Sequence, residues 1–174
     1  MNVALPEPLV AGPVSAAVPG TPVQAQVTAS AEPVALSADL PTVVLCGDAD
    51  PVTGAAAGSL AEAAGLPLIA EPSSNARRGP QAMATGRLLL AQDLGSRIRR
   101  VIVFGRPTLS RPVSALLSSE AVEVVVVGSR GDFVDPGWRA HLVAAAVSIP
   151  PGDPAWLAAW QQADQAQSAH LEQL

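Results

Sequence analysis

The sequence predicts an α/β fold: a doubly wound, mostly parallel sheet of five to six strands with helices on both faces. Two observations carry that expectation. Residues 42–46, 101–104 and 122–127, the last with Glu123 as an odd charge near its start, are largely apolar runs rich in β-branched side chains, too short for helices and without polar alternation. Such runs mark strands buried on both faces, as in parallel sheets. Between them lie segments of helical length, punctuated by Gly and Pro, which gives the strand-helix-strand order of a parallel sheet.

At 174 residues the chain suits one domain, able to bury roughly 70% of its unfolded surface. Half of it is apolar, yet no run approaches the ~18 residues of a membrane span. The opening segment has no basic start and is interrupted by Pro6 and Pro8, so it does not read as a secretory signal. The single cysteine excludes an internal disulfide. A formal charge of −5 argues against nucleic acid as a partner. These features predict a cytoplasmic protein. All ten basic residues are arginines, which fits a high-GC bacterial gene and excludes Schiff-base chemistry within the chain.

Residues 1–41 carry Pro6, Pro8, Pro13, Pro19, Pro22, Pro33 and Pro41 among small residues. The segment reads as a proline-rich interdomain linker or arm. It is either flexible or docked on the folded body through Val23, Val27, Val34 and Leu36. Residues 42–152 form the α/β domain proper. Strand 42–46 ends at Gly47-Asp48-Ala49-Asp50-Pro51. A small-residue helix over 53–64 then stops at Gly65, and residues 67–70 return as a second parallel strand.

A polar loop over 71–79 leads to a helix from Pro80 to about Asp93, with Gly95 as its stop. Arg97, Arg99 and Arg100 are expected on a solvated rim. The central strand, 101–104, is broken by Gly105. The Arg106-Pro107 and Arg111-Pro112 pairs hold an extended connection into a helix over 112–119. After strand 122–127 comes a loop over 128–136. The last strand is expected over 144–149, at a sheet edge, stopped by Pro150-Pro151. Asp153 and Pro154 cap a closing helix over 153–174, whose Trp156, Trp160, Ala163, Gln167, Leu171 and Leu174 recur on one face.

No catalytic constellation emerges. Cys46 ends a buried strand with no histidine nearby, and reads as a core thiol. His141 and His170 lack ligand-spaced partners, so no metal site is expected. Ser110 and Ser114 have no candidate base, which leaves an independent hydrolase unsupported. Gly47, Gly54 and Gly58 do not satisfy G-x-G-x-x-G, and Asp48 and Asp50 would repel a pyrophosphate. The positive signal is arginine. Arg77, Arg78, Arg106 and Arg111 can converge at the carboxyl end of the sheet, where ligands of open α/β sheets sit. Arginine forks suit carboxylates. The alternatives are pairing with Glu71, Asp48 or Asp50, or contact with another domain.

The stretch from Val101 to Trp138, above all strand-Gly105-Arg106-Pro107-Thr108-Leu109-x-Arg111-Pro112-Val113-x-x-Leu116-Leu117, resembles the middle domain of the MenD family. These are thiamine-diphosphate-dependent 2-succinyl-5-enolpyruvyl-6-hydroxy-3-cyclohexene-1-carboxylate (SEPHCHC) synthases of menaquinone biosynthesis. Residues 2–10 resemble the segment that closes the family's first domain.

The resemblance implies a Rossmann-like central domain excised from a transferase that joins decarboxylated 2-oxoglutarate to isochorismate. It implies that thiamine diphosphate and Mg²⁺ lie between the missing first and third domains, which are this chain's partners. The closing helix then leads toward the third domain. Gly47-Asp48-Ala49 departs from the family's Gly-Asp-Gly motif and nothing downstream completes it. The chain is therefore expected to bind no cofactor and to be inactive alone. Its role is structural and feedback-regulatory, with the arginines holding an aromatic acid such as 1,4-dihydroxy-2-naphthoate. The rival is a free-standing Rossmann-like nucleotide-binding module.

Overall fold

The computed structural model describes residues 26–28, 32–128 and 139–173. Eight strands occur among them: β1 Gln26–Thr28, β2 Val34–Ala35, β3 Thr42–Cys46, β4 Leu68–Ala70, β5 Arg100–Phe104, β6 Glu123–Val127, β7 Ala140–Ala144 and β8 Val147–Ser148. The helices are α1 Pro51–Ala64, α2 Gly86–Leu89, α3 Asp93–Ser96, α4 Arg111–Leu117 and α5 Pro154–Leu171. Six strands form one sheet in the order β1-β7-β6-β5-β3-β4, and every neighbouring pair is parallel. A separate parallel pair joins β2 to β8.

Successive residues of a strand point to opposite faces, and here both faces are covered. Val43, Leu45, Val101, Val103, Val124 and Val126 share one core with α2, α4 and α5 side chains, including Leu89, Val113, Leu116, Trp156 and Trp160. Val44, Cys46, Ile102, Phe104 and Val125 share the other with Ala57, Ala61 and Ala64 of α1. The double burial is why these strands read as unbroken apolar runs. The α/β class, the parallel sheet and the helices on both faces are as the sequence predicts.

α1 begins at Pro51, two residues earlier than expected, because the Asp50 carboxylate accepts from the N–H groups of Val52 and Thr53. It ends at Gly65 in the left-handed region, φ 62°.

Four expectations need correction. The helix expected from Pro80 to about Asp93 is not continuous. Leu68 donates to the Gln81 carbonyl and Met83 donates to that of Leu68, so residues 81–83 run along the free edge of β4. A segment paired in this way cannot also make helical bonds, and only the short α2 and α3 follow; Gly95 lies inside α3 rather than ending a helix. The strand expected over 144–149 is instead two pieces, β7 and β8. β7 is not at the edge, because β1 pairs along its outer side. Finally, Arg100 is no rim residue but is 5% exposed. Its Nε lies 2.6 Å from the Glu123 carboxylate on the neighbouring strand.

Residues 26–28 and 32–41 lie against the folded body. Val34 and Val27 sit in the β2 and β1 ladders, and Leu36 packs on the α1-side core. The amides of Arg99 and Arg100 donate to the Pro41 carbonyl. Val23, most of the loop over 128–136 with Trp138, and Leu174 are outside the described residues.

α5 has the expected cap: Asp153 accepts from the Ala155 N–H, with Pro154 in the first turn. Trp156 and Trp160 meet edge to face with centroids 5.8 Å apart, and the Trp156 indole donates to the Thr42 carbonyl at 2.8 Å. Farther along, the Asp164 carboxylate accepts from the amides of Ala84 and Thr85 and from the Thr85 hydroxyl. It thus pins the two residues that lead into α2, whose N-cap Thr85 makes no side-chain cap of its own. Asp164→Ala is expected to lower stability by about 1–2 kcal/mol, read as a lower urea midpoint at unchanged slope.

Candidate functional site

Chain order reverses between β3 and β5, which are adjacent in the sheet while β4 and β6 lie to either side. The carboxyl ends of such strands frame the crevice in which open α/β sheets bind ligands. In this chain backbone bonds bridge the ends of these two strands. The Asp48 amide donates to the Arg106 carbonyl at 2.9 Å, and the Arg106 amide donates back at 2.8 Å. The two loops approach so closely that a Cβ on Gly47 would lie 2.1 Å from Pro107 N. Gly105 is left-handed, φ 64°, and a Cβ there would lie 2.4 Å from the Asp48 carbonyl oxygen. Sequence alone showed Gly105 as a strand breaker; the pairing across β3 and β5 shows why glycine stands at both positions.

The loops after β3, β4 and β5 form one cross-braced surface. Ala49 donates to the Ser73 carbonyl, and the Asn75 side chain donates to Ala49 at 2.8 Å. Glu71, at the end of β4, is 6% exposed. Its carboxylate accepts from the amides of Thr108 and Leu109, reaching past the end of β3 to the loop that follows β5.

The structure distributes the four sequence-predicted arginines. Arg77 lines a cleft of roughly 450 Å³ with Glu71, Arg87, Leu109 and Val113. Arg106 lines another, of roughly 580 Å³, with Asp48, Asp50, Thr53 and Phe104. Arg111 lines a third, between α3 and α4, with Arg99. Arg78 donates to the Asn75 carbonyl at 2.8 Å. None of these three clefts holds two of the four. Among the described residues the ion pairs are Arg100–Glu123 and Arg139–Glu120, so none joins the four arginines to Glu71, Asp48 or Asp50.

Arg87 was not legible as a companion of Arg77. The sequence placed it within a long helix, and only the extended run along β4 delivers it to this cleft. Glu71 could be read only as a partner for arginine, because its amide partners lie across an intervening strand.

The remaining chemistry-bearing groups are structural. Cys46 is fully buried, and burial first, then the charges of Glu71 and Asp50, pushes its thiol up to about 12. It is thus a protonated core thiol at neutral pH. His141 accepts from the Val124 amide at Nδ1. Asp50 is held below the usual carboxylate range by its bonds to Thr53 and Val52. That side chain occupies the first amides of α1, where a nucleotide phosphate would otherwise dock. This occupancy counts against the nucleotide-binding module.

Asp48 of Gly47-Asp48-Ala49 is tied into the backbone bridge. Among the described residues no group of three or more His, Cys, Asp or Glu is placed to hold a metal ion. No described helix is long and apolar enough to cross a membrane.

No family model matches the chain. Among curated proteins it is 47% identical over 174 residues to a SEPHCHC synthase of Kineococcus radiotolerans, an alignment covering 94% of this chain and 31% of that one. It is 43% identical over 186 residues to the same enzyme of Nocardioides sp., covering 100% of this chain and 34% of the relative. A third such synthase, from Leifsonia xyli, is 44% identical over 131 residues. The chain spans about a third of the length of the curated relatives it matches. Along essentially its whole length, therefore, this chain is a homologue of one part of 2-succinyl-5-enolpyruvyl-6-hydroxy-3-cyclohexene-1-carboxylate synthases.

Proposed function

We propose that the chain is the middle domain of a SEPHCHC synthase, a non-catalytic piece with structural and feedback-regulatory roles. The observation that carries this reading is the coverage: similarity runs through the whole α/β unit yet accounts for 31% and 34% of two relatives. The parent's chemistry, joining decarboxylated 2-oxoglutarate to isochorismate in menaquinone biosynthesis, then belongs to the first and third domains. Those domains would hold thiamine diphosphate and Mg²⁺ and would be this chain's partners, in the cytoplasm. The buried, protonated Cys46 supports a role without catalysis.

The regulatory part of the proposal rests on exposed arginines at the carboxyl end of the sheet. Of the four expected from sequence, Arg77 is the best placed, because Arg87 shares its cleft. Arg106 faces Asp48 and Asp50 across the neighbouring cleft, where an anion meets opposing charge; Arg78 and Arg111 lie apart from both. An aromatic acid from later in the pathway, 1,4-dihydroxy-2-naphthoate, is the effector proposed.

The test of the non-catalytic assignment is direct. Supplied with isochorismate, 2-oxoglutarate, thiamine diphosphate and Mg²⁺, the chain alone should form no product, and thiamine diphosphate should not raise its melting temperature. A ligand at 100 times its dissociation constant would add about 2.7 kcal/mol. A shift of that size would place the cofactor site in this chain. Tight binding of ADP, FAD or NAD would favour the nucleotide module instead.

A further inference from the structure

We propose that Arg100 fastens a strap: its buried guanidinium holds residues 34–41 on the amino end of the sheet, and that strap opens separately from the sheet. The inference stands on this chain alone, whatever its parent. Among the described residues Arg100 is the buried cation, 5% exposed. Burying its pair with Glu123 is a poor route to stability, since apolar side chains of similar volume serve as well. Apolar side chains could not hold two structures at once. The guanidinium divides its donors between them. Nε lies 2.6 Å from the Glu123 carboxylate, a partner set by the β5–β6 register. Nη1 lies 2.5 Å from the Ser37 carbonyl oxygen and Nη2 3.4 Å from the Ser37 hydroxyl, which itself donates to Asp39. A planar fork spans both partners; an ammonium has no such fixed geometry.

The rest of the strap is lightly held. The Val34 and Leu36 amides donate to the Ala146 and Ser148 carbonyls at 3.0 and 2.8 Å, in a ladder of two residues per strand that belongs to no larger sheet. Leu36 and Ala38 are half-buried against the α1-side core. At the far end the Pro41 carbonyl accepts from the Arg99 and Arg100 amides, where β3 begins. Between those ends, residues 38–41 wall a cavity of roughly 250 Å³ with Leu66, Ile149 and Trp156, so space lies beneath them where packing could. The tie at Ser37 therefore keeps the middle of the strap down. The chain has to pass from β1, at one edge of the sheet, across β7, β6 and β5 to reach β3. Arg100 and Glu123 begin β5 and β6, midway along that path. Segments with short ladders and few buried apolar contacts open below the global free energy. Each opening of this one breaks the Arg100–Ser37 bonds and leaves the Arg100–Glu123 pair intact.

Amide hydrogen exchange on the whole chain tests this. The reference is Val44, whose amide in the sheet donates to the Pro67 carbonyl at 2.9 Å. In the wild type, Val34 and Leu36 are expected to be roughly a hundredfold less protected than Val44. In the double variant Arg100→Met with Glu123→Leu, their protection should fall roughly a further tenfold relative to Val44, as the loss of a charge-assisted bond implies. Arg100→Lys keeps a charge for Glu123 without the fork, and should lower it about threefold. Equal protection of Val34, Leu36 and Val44 in the wild type would overturn the separate opening. Protection at Val34 and Leu36 that changes only in step with Val44 in the variants would assign Arg100 to the sheet alone and overturn the fastener. If the double variant does not fold, Arg100→Lys decides.

Discussion

Val103→Asp is expected to leave no folded protein. Val103 is 1% exposed on the strand that stands between β3 and β6, paired with Leu45 on one side and Val126 on the other. Its side chain belongs to the core that also contains Trp160 and Leu116; the unpartnered Trp160 indole N–H there is an uncharged donor and cannot neutralise a carboxylate. An unpaired buried charge costs several kcal/mol, and the lost valine adds a packing defect. Their sum is comparable with the roughly 5–15 kcal/mol that holds a domain together. The check is soluble yield and circular dichroism, with Val103→Ala as a control that should remain folded at reduced stability. A Val103→Asp protein that melts at the wild-type temperature would show that β5 is not the central strand.

The second large effect is expected at Arg100. Its guanidinium is buried at the start of β5, with Nε on Glu123 and Nη1 2.5 Å from the Ser37 carbonyl. Glu123→Ala strands that charge. Removing one partner of a buried pair costs about 3–5 kcal/mol, and the lower end applies because the Glu123 side chain is 34% exposed and partly screened by water. The double replacement Arg100→Met with Glu123→Leu should recover most of the loss, since the pair can be exchanged for apolar contact at little net cost. Urea midpoints of the single and double variants separate the two effects. A single variant as stable as wild type would mean that Ser37 alone satisfies Arg100.

What the sequence made legible follows from how locally each signal is written. β3, β5 and β6 announce themselves because burial on both faces removes every polar interruption, and α5 does so because Asp153-Pro154 is a complete start signal within two residues. The apolar positions of residues 80–93 also recur, but they serve a strip pinned between β4 and α5. Only the distant Leu68 and Asp164 reveal that. β7 was displaced because His141 interrupts it, and because a register shift between Val124 and Val125 accommodates it beside β6. Arg100 looked like one more basic residue before a strand; its partner is fixed by the β5–β6 register, which no short stretch encodes. The candidate site was legible in part for the same reason. Arg77 stands in a recognisable loop, whereas Arg87 and Glu71 join it only through tertiary pairing.

The place of β1 bears on how the molecule folds. Gln26–Thr28 completes the sheet by lying along β7, which is made from residues far down the chain. Ordering that contact early would cost the entropy of closing a loop of about two thirds of the polypeptide, so the first described strand should be the last to dock. Until then β7 offers a bare row of N–H and C=O groups, a template for edge-to-edge association with another copy. Shortened chains that lack the arm would therefore have aggregation at β7 as their characteristic failure. The N-terminal arm then acts as the molecule's own guard strand.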